Sequence, residues 1–129
     1  MKKIVINGND FYDIDGFYAE IDRLLTKDLT WKTGHNLDAF NDLLCGGFGI
    51  HEDGEPTVII WENAEKSKKE LGYSATVRHY ENMLIRGHST NINKVSALLE
   101  NAKREKDDTL FDIIIQIIES HDNIELLLK

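Results

Sequence analysis

Cysteine and proline are nearly absent: in 129 residues there is one of each, Cys45 and Pro56, and only two methionines. A single cysteine excludes an intrachain disulfide and fits a reducing compartment. The near absence of proline, with no tract rich in Gly, Ser or Pro, leaves no linker, no low-complexity segment and no internal repeat, so residues 1–129 are expected to form one domain. A chain of this length buries roughly two thirds of its unfolded surface and needs no metal or disulfide staple. Long hydrophobic runs are missing too. Nothing approaches the ~18 apolar residues of a membrane span. The opening Met1-Lys2-Lys3 precedes an apolar run far shorter than the ~7–15 residues of a signal peptide, so a cytoplasmic protein is expected. Positive charge is short as well: Lys+Arg 15 against Asp+Glu 23 leaves a net −8 and a pI near 5.0. Nucleic acid and anionic membrane would both repel such a surface, and a basic partner is expected in their place.

What is present alternates. Ile4-Val5-Ile6 is a β-branched run closed by the turn-formers Asn7-Gly8-Asn9-Asp10, which predicts a fully buried strand and a turn. Asp15 is the expected cap of a first helix whose apolar stripe is Phe17, Ile21, Leu24 and Leu25. Asn36 caps a second, with Leu37, Phe40 and Leu44 on its apolar face and Gly46-Gly47 at its end. Pro56 precedes the strand-like Thr57-Val58-Ile59-Ile60-Trp61, and a third helix follows from Asn63 to about Leu71. Two more helical patterns follow, Val77/Tyr80/Met83/Leu84 and Ile92/Val95/Leu98/Leu99/Ala102, expected to pack on the sheet. The run Ile113 to Ile118 suits a buried strand or a helix apolar nearly all round. Helix is preferred because Asp107, Asp108 and Thr109 supply caps, and Ile124 to Leu128 is the last strand. Short apolar strands separated by helices predict an α/β fold with a three-stranded parallel sheet at about 3–7, 57–62 and 124–128.

The acidic surplus is unevenly spread. From Thr33 to Trp61 there is no lysine or arginine, whereas Asp38, Asp42, Glu52, Asp53 and Glu55 all fall inside. Asp38 and Asp42 stand one turn apart on one helix face, where like charges cost an isolated helix ~0.2–0.5 kcal/mol. Such a pair suits the docking of a cationic partner; the plainer account is a solvated face that aids solubility.

These residues carry a resemblance. Lys2-Lys3-Ile4-Val5-Ile6-Asn7-Gly8, Gly34-His35-Asn36-Leu37-Asp38-Ala39-Phe40-Asn41-Asp42, the stretch from Ile60 through Lys68, and Asp122-Asn123-Ile124-Glu125-Leu126-Leu127-Leu128 resemble, in the same order, the barstar-like family of bacterial ribonuclease inhibitors. The resemblance implies the family's fold, with an extra helical insertion at about 74–106, and a stoichiometric inhibitor with neither catalysis nor a cofactor. It also implies that the second helix and the loop before it plug a ribonuclease active site in place of the RNA backbone. Asp42 matches the aspartate that enters the phosphate pocket, Asp38 its neighbour a turn earlier, and Gly46 a backbone contact. The family's further acid on its last helix falls on Glu119 with a small gap, or on Gln116 without one.

Asn41 stands where the family has an aromatic, and Lys32 and Thr33 replace aromatics before the Gly-x-Asn-Leu run, with Trp31 the nearest. Asp38, Asp42, Asn41, Gly46, Trp31, Lys32 and Glu119 are therefore the expected contacts to a basic extracellular-type ribonuclease or related toxin, bound one to one. An immunity protein against a different toxin is the alternative.

Other chemistry has less support. His35, Asp38, Asp42, His51 and Asp53 can be written as the metal site of a hydrolase, but they match no ligand spacing. Cys45 beside Leu43 and Leu44 reads as a packed thiol sooner than a nucleophile. Gly46-Gly47-Phe48-Gly49 follows a helix and lacks a phosphate-loop lysine. Trp61 is expected in the core. The inserted segment, richer in Lys, Arg and His, reads as a solvated helical pair or as a second contact surface.

Overall fold

The computed structural model describes residues 2–25, 36–45, 56–86 and 92–129. Among these, strands β1 (Lys2–Asn7), β2 (Thr57–Glu62) and β3 (Ile124–Leu128) form one sheet in the order β1-β2-β3. Both pairings are parallel, with Lys2 opposite Thr57, and Thr57 in turn opposite Ile124. Parallel neighbours require crossover connections, which here are helical. Helices α1 (Ile14–Leu25) and α2 (Leu37–Cys45) lie between β1 and β2. Helices α3 (Ala64–Glu70), α4 (Tyr73–Arg86), α5 (Ile92–Lys103) and α6 (Leu110–Glu119) lie between β2 and β3. The fold is α/β, and each strand lies within a residue of where the sequence places it.

The strands alternate more than expected. Ile4, Ile6, Ile59 and Trp61 are buried, whereas Val5, Val58 and Ile60 are half-buried and outside the core cluster. The expectation of a fully buried first strand is therefore corrected: α1, α2, α3 and α6 supply the helical part of the core on one sheet face, and the other face stays partly open. Trp61 is wholly buried, as expected, and its indole Nε1–H donates to Ser67 Oγ at 3.0 Å. Phe17 stacks on it at 5.5 Å and 14°, while Phe111 and Phe11 meet it at tilted angles.

The turn after β1 forms as read. Asn7 Oδ1 accepts from the Asn9 amide and from Asn63 Nδ2, both at 2.9 Å. A side chain at Gly8 would meet Ser67 Oγ at 2.6 Å and the Asn63 carbonyl at 2.7 Å, so the turn can press against α3 only with glycine there. The cap of α1 differs from expectation. The helix starts at Ile14, which puts Gly16 at its third position, so Asp13 Oδ1 accepts from the Gly16 amide at 2.7 Å and Asp15 lies exposed in the first turn. At α6 the helix preference holds: Thr109 forms a reciprocal capping box with Asp112, and Leu110, Phe111, Ile114 and Ile118 are buried.

The α4–α5 pair, expected on the sheet, does not pack on it through α5. Val95, Leu99 and Ala102 of α5 close on Tyr80 of α4, with Val77, Met83, Leu84 and Leu98 around them, as a second small core, and Ile92 is 56% exposed. Two helices whose apolar stripes face each other satisfy one another and leave none over for the sheet. Only the start of α4 joins the main core, through Ala75. Thr76, fully buried, locks it there: its Oγ donates to the Gly72 carbonyl at 2.8 Å and accepts from the buried Leu110 amide at 2.9 Å. Tyr73 Oη adds a bond to the Asp107 carbonyl.

Two predictions follow from this packing. Thr76→Val keeps the shape but orphans the Leu110 N–H, and urea denaturation should show a loss of about 1–3 kcal/mol. The second concerns Tyr18, whose phenol is pushed above the ordinary tyrosine value of 10.0 by burial first, then by Asp15 and Asp38. An unfolded chain releases that proton near pH 10 while the native state holds it, so stability is intact below pH 10 and falls as pH rises above it. Denaturation of Tyr18→Phe across that range should show a shallower fall than the parent, with Tyr80, raised by burial and by Asp107 and Asp108, supplying the remainder.

Candidate functional site

Helix α2 has two unlike faces. Phe40, Leu43 and Leu44 point into the core, where Phe40 meets Phe17 edge-on at 5.3 Å and 76°. Asp38 and Asp42 lie exposed on the other side, one turn apart. Asn36 Oδ1 accepts from the Ala39 amide at 2.7 Å, capping the helix as its sequence predicts. Asp38 sits in the first turn, where the helix dipole favours a negative charge; Asp42 lies beyond that turn and gains no such support. The ion pairs among the described residues, Arg23–Glu20, Lys66–Glu70 and Lys103–Glu100, involve neither aspartate. The face is thus two carboxylates held open on a helix whose reverse side is fixed.

Asn41 is placed differently from its neighbours. It is half-buried, and its Oδ1 lies 2.7 Å from His121 Nε2, which donates to it and so ties α2 to the turn after α6. No periodicity marks His121 in the sequence, because its role depends on a partner eighty positions away. The two candidates for the last-helix acid also separate. Gln116 Nε2 donates to Asp108 Oδ2 at 2.8 Å, which draws that side chain toward the start of α6. Glu119 is exposed at the end of α6, two residues before His121 and hence near the tether to α2. Trp31, Lys32 and Gly46 lie outside the described residues, as do His35, His51, Asp53 and the glycine run that begins at Gly46.

A feature absent from the sequence reading adjoins this face. The starts of α1 and α2 and one side of α4 enclose a groove of about 770 Å³, lined on one wall by Asp13, Asp15 and Asp38 and on the other by Arg78 and His79. Burial lowers the pKa of His79, which favours the neutral imidazole there. Each lining residue is ordinary in its own segment, and only the fold brings three separated helices around one space. Among the described residues no three or more His, Cys, Asp or Glu side chains gather as a metal site, and no helix is long and apolar enough to cross a membrane.

No curated protein matches the chain. A family model described as Barstar (barnase inhibitor) matches residues 1–84, a span that takes in β1, α1, α2, β2, α3 and most of α4. The chain, with its three-stranded parallel sheet and its acidic second helix, belongs to the Barstar (barnase inhibitor) family, whose members are inhibitors of ribonucleases and not enzymes.

Proposed function

We propose that this protein is a cytoplasmic inhibitor that blocks the active site of a basic, extracellular-type ribonuclease one to one, with α2 and the loop before it standing in for the RNA backbone. The observation that carries the proposal is the exposed Asp38–Asp42 face, paired with no cation among the described residues, on a helix held from behind by Phe40, Leu43 and Leu44. A cleft built to hold phosphate presents Arg, Lys and His donors, and these take carboxylates by charge-assisted hydrogen bonds. Asp42 fills the phosphate pocket and Asp38 pairs beside it; Glu119 adds a carboxylate from the end of α6. Trp31, Lys32, Asn41 and Gly46 shape the rim of the contact. The net charge of −8 speeds the approach of a basic enzyme. Occlusion of this kind needs neither a cofactor nor a catalytic group.

A second reading keeps the surface and changes the target: an immunity protein against another secreted or contact-delivered toxin. It is favoured by Asn41, which is engaged with His121 where the family carries an aromatic, and by α4, which lines one groove with the start of α2.

The test is a titration of the chain and of Asp42→Ala against barnase and other purified basic bacterial ribonucleases, following RNA cleavage at low and moderate salt. Inhibition by the parent should saturate at one to one and weaken as salt rises. The variant should lose about a hundredfold or more, the scale on which truncating one partner of a desolvated charge pair acts, a scale for which barnase with barstar is itself the measured reference. A parent chain that inhibits none of these enzymes sinks the ribonuclease target, and metal-dependent turnover by the parent alone would make it a hydrolase.

A further inference from the structure

The groove beside α2 has walls of opposite sign. Asp13, Asp15 and Asp38 line the side formed by α1 and α2; Asp13 is partly spent in capping α1, whereas Asp15 and Asp38 are exposed and form no ion pair with any described residue. Across from them, α4 contributes Ala75, Arg78, His79, Asn82 and Met83, spaced i, i+3, i+4, i+7 and i+8, which is one face of a helix. Arg78 is exposed, and its guanidinium makes no ion pair with any described residue although three carboxylates line the same space. Helix α4 is pinned at Thr76, two residues before Arg78, to the start of α6. Asp38 belongs to both the groove and the α2 face, so the two surfaces are continuous.

A groove of this kind rejects a polyanion, which its acidic wall repels, and a uniformly cationic surface, which Arg78 repels. Protein segments that carry both signs in the right order meet both walls, and matching two signs fixes register more strictly than matching one. Arginine in turn selects carboxylates through its planar fork of donors.

We propose that this groove is a specificity subsite of the docking face, occupied by a projecting segment of the target nuclease that sets a carboxylate on Arg78 while the nuclease's basic cleft engages Asp38 and Asp42; this inference rests on the inhibitor function proposed above. Helix α4 is then a filter on partner choice, and the target it admits is a ribonuclease whose cationic cleft is flanked by an acidic residue.

The sign of one substitution tests it. Arg78→Glu makes the inhibitor more acidic, so steering alone predicts equal or tighter inhibition of a basic enzyme. The subsite requires the opposite. Against whichever ribonuclease of the panel the parent inhibits best, Arg78→Glu should raise the inhibition constant roughly tenfold, through faster dissociation, with Arg78→Ala and Arg78→Lys in between, since lysine keeps the charge but not the fork of donors. Thermal unfolding of all three should match the parent, since Arg78 is exposed. If Arg78→Glu and Arg78→Ala inhibit as well as or better than the parent while Asp42→Ala fails, the subsite is overturned and the inhibitor function stands. Inhibition of no ribonuclease by the parent overturns both.

Discussion

The stack of Phe17 on Trp61 is the contact on which the rest of the molecule depends. Trp61 brings the middle strand into the helical layer, and Phe17 receives it from α1, with Phe11 and Phe111 closing the sides. Aromatic rings combine large buried area with preferred angles, so each one constrains the orientation of the next. The indole can be wholly buried because Ser67 accepts its only donor. Phe40 then meets Phe17 edge-on, and through that ring α2 takes its orientation from the sheet. The direction in which Asp38 and Asp42 point is thus a consequence of packing on the opposite face of their helix.

That arrangement explains how two like charges can be kept side by side. Their mutual repulsion is a few tenths of a kcal/mol, ~0.2–0.5 on an isolated helix, and burial of one large apolar side chain contributes ~1.5–3 kcal/mol. Phe40, Leu43 and Leu44 are all buried, so packing outweighs the repulsion. The cap at Asn36 and the Asn41–His121 bond hold the helix start and middle. A surface ordered before its partner arrives loses less entropy on binding than one that must be assembled, which suits a protein belonging to an inhibitor family.

Much of the fold was legible because its signals are local. Short apolar runs next to turn-formers located the three strands, β-branched in the first two, and periodicity located the helices, including α6, where Thr109 supplied the cap that favours helix. The errors arose where a choice among neighbours depends on geometry. Asp13 and Asp15 are equally good caps on paper, and only the starting residue of α1 selects Asp13. The stripe Val95/Leu98/Leu99 shows that α5 buries a face but not against what; the stripe of α4 proved the nearer partner. Of the candidate site, Asp38, Asp42 and Glu119 are exposed as an interface needs, whereas Asn41 is engaged internally by a histidine that carries no signal of its own.

Composition and pattern by themselves determined the net charge, the acidic stretch, the presence of a single cysteine and the α/β class, since each of these is a sum or a short-range periodicity, and the resemblance to the family rested on the order of particular residues in short segments. Tertiary structure alone decided which carboxylates stand open, which amide is tied down, where α4 and α5 pack, and that Arg78 lines one groove with Asp15 and Asp38. Those properties are relations between segments far apart in the chain, and such relations exist only once the Trp61 core has brought the segments together.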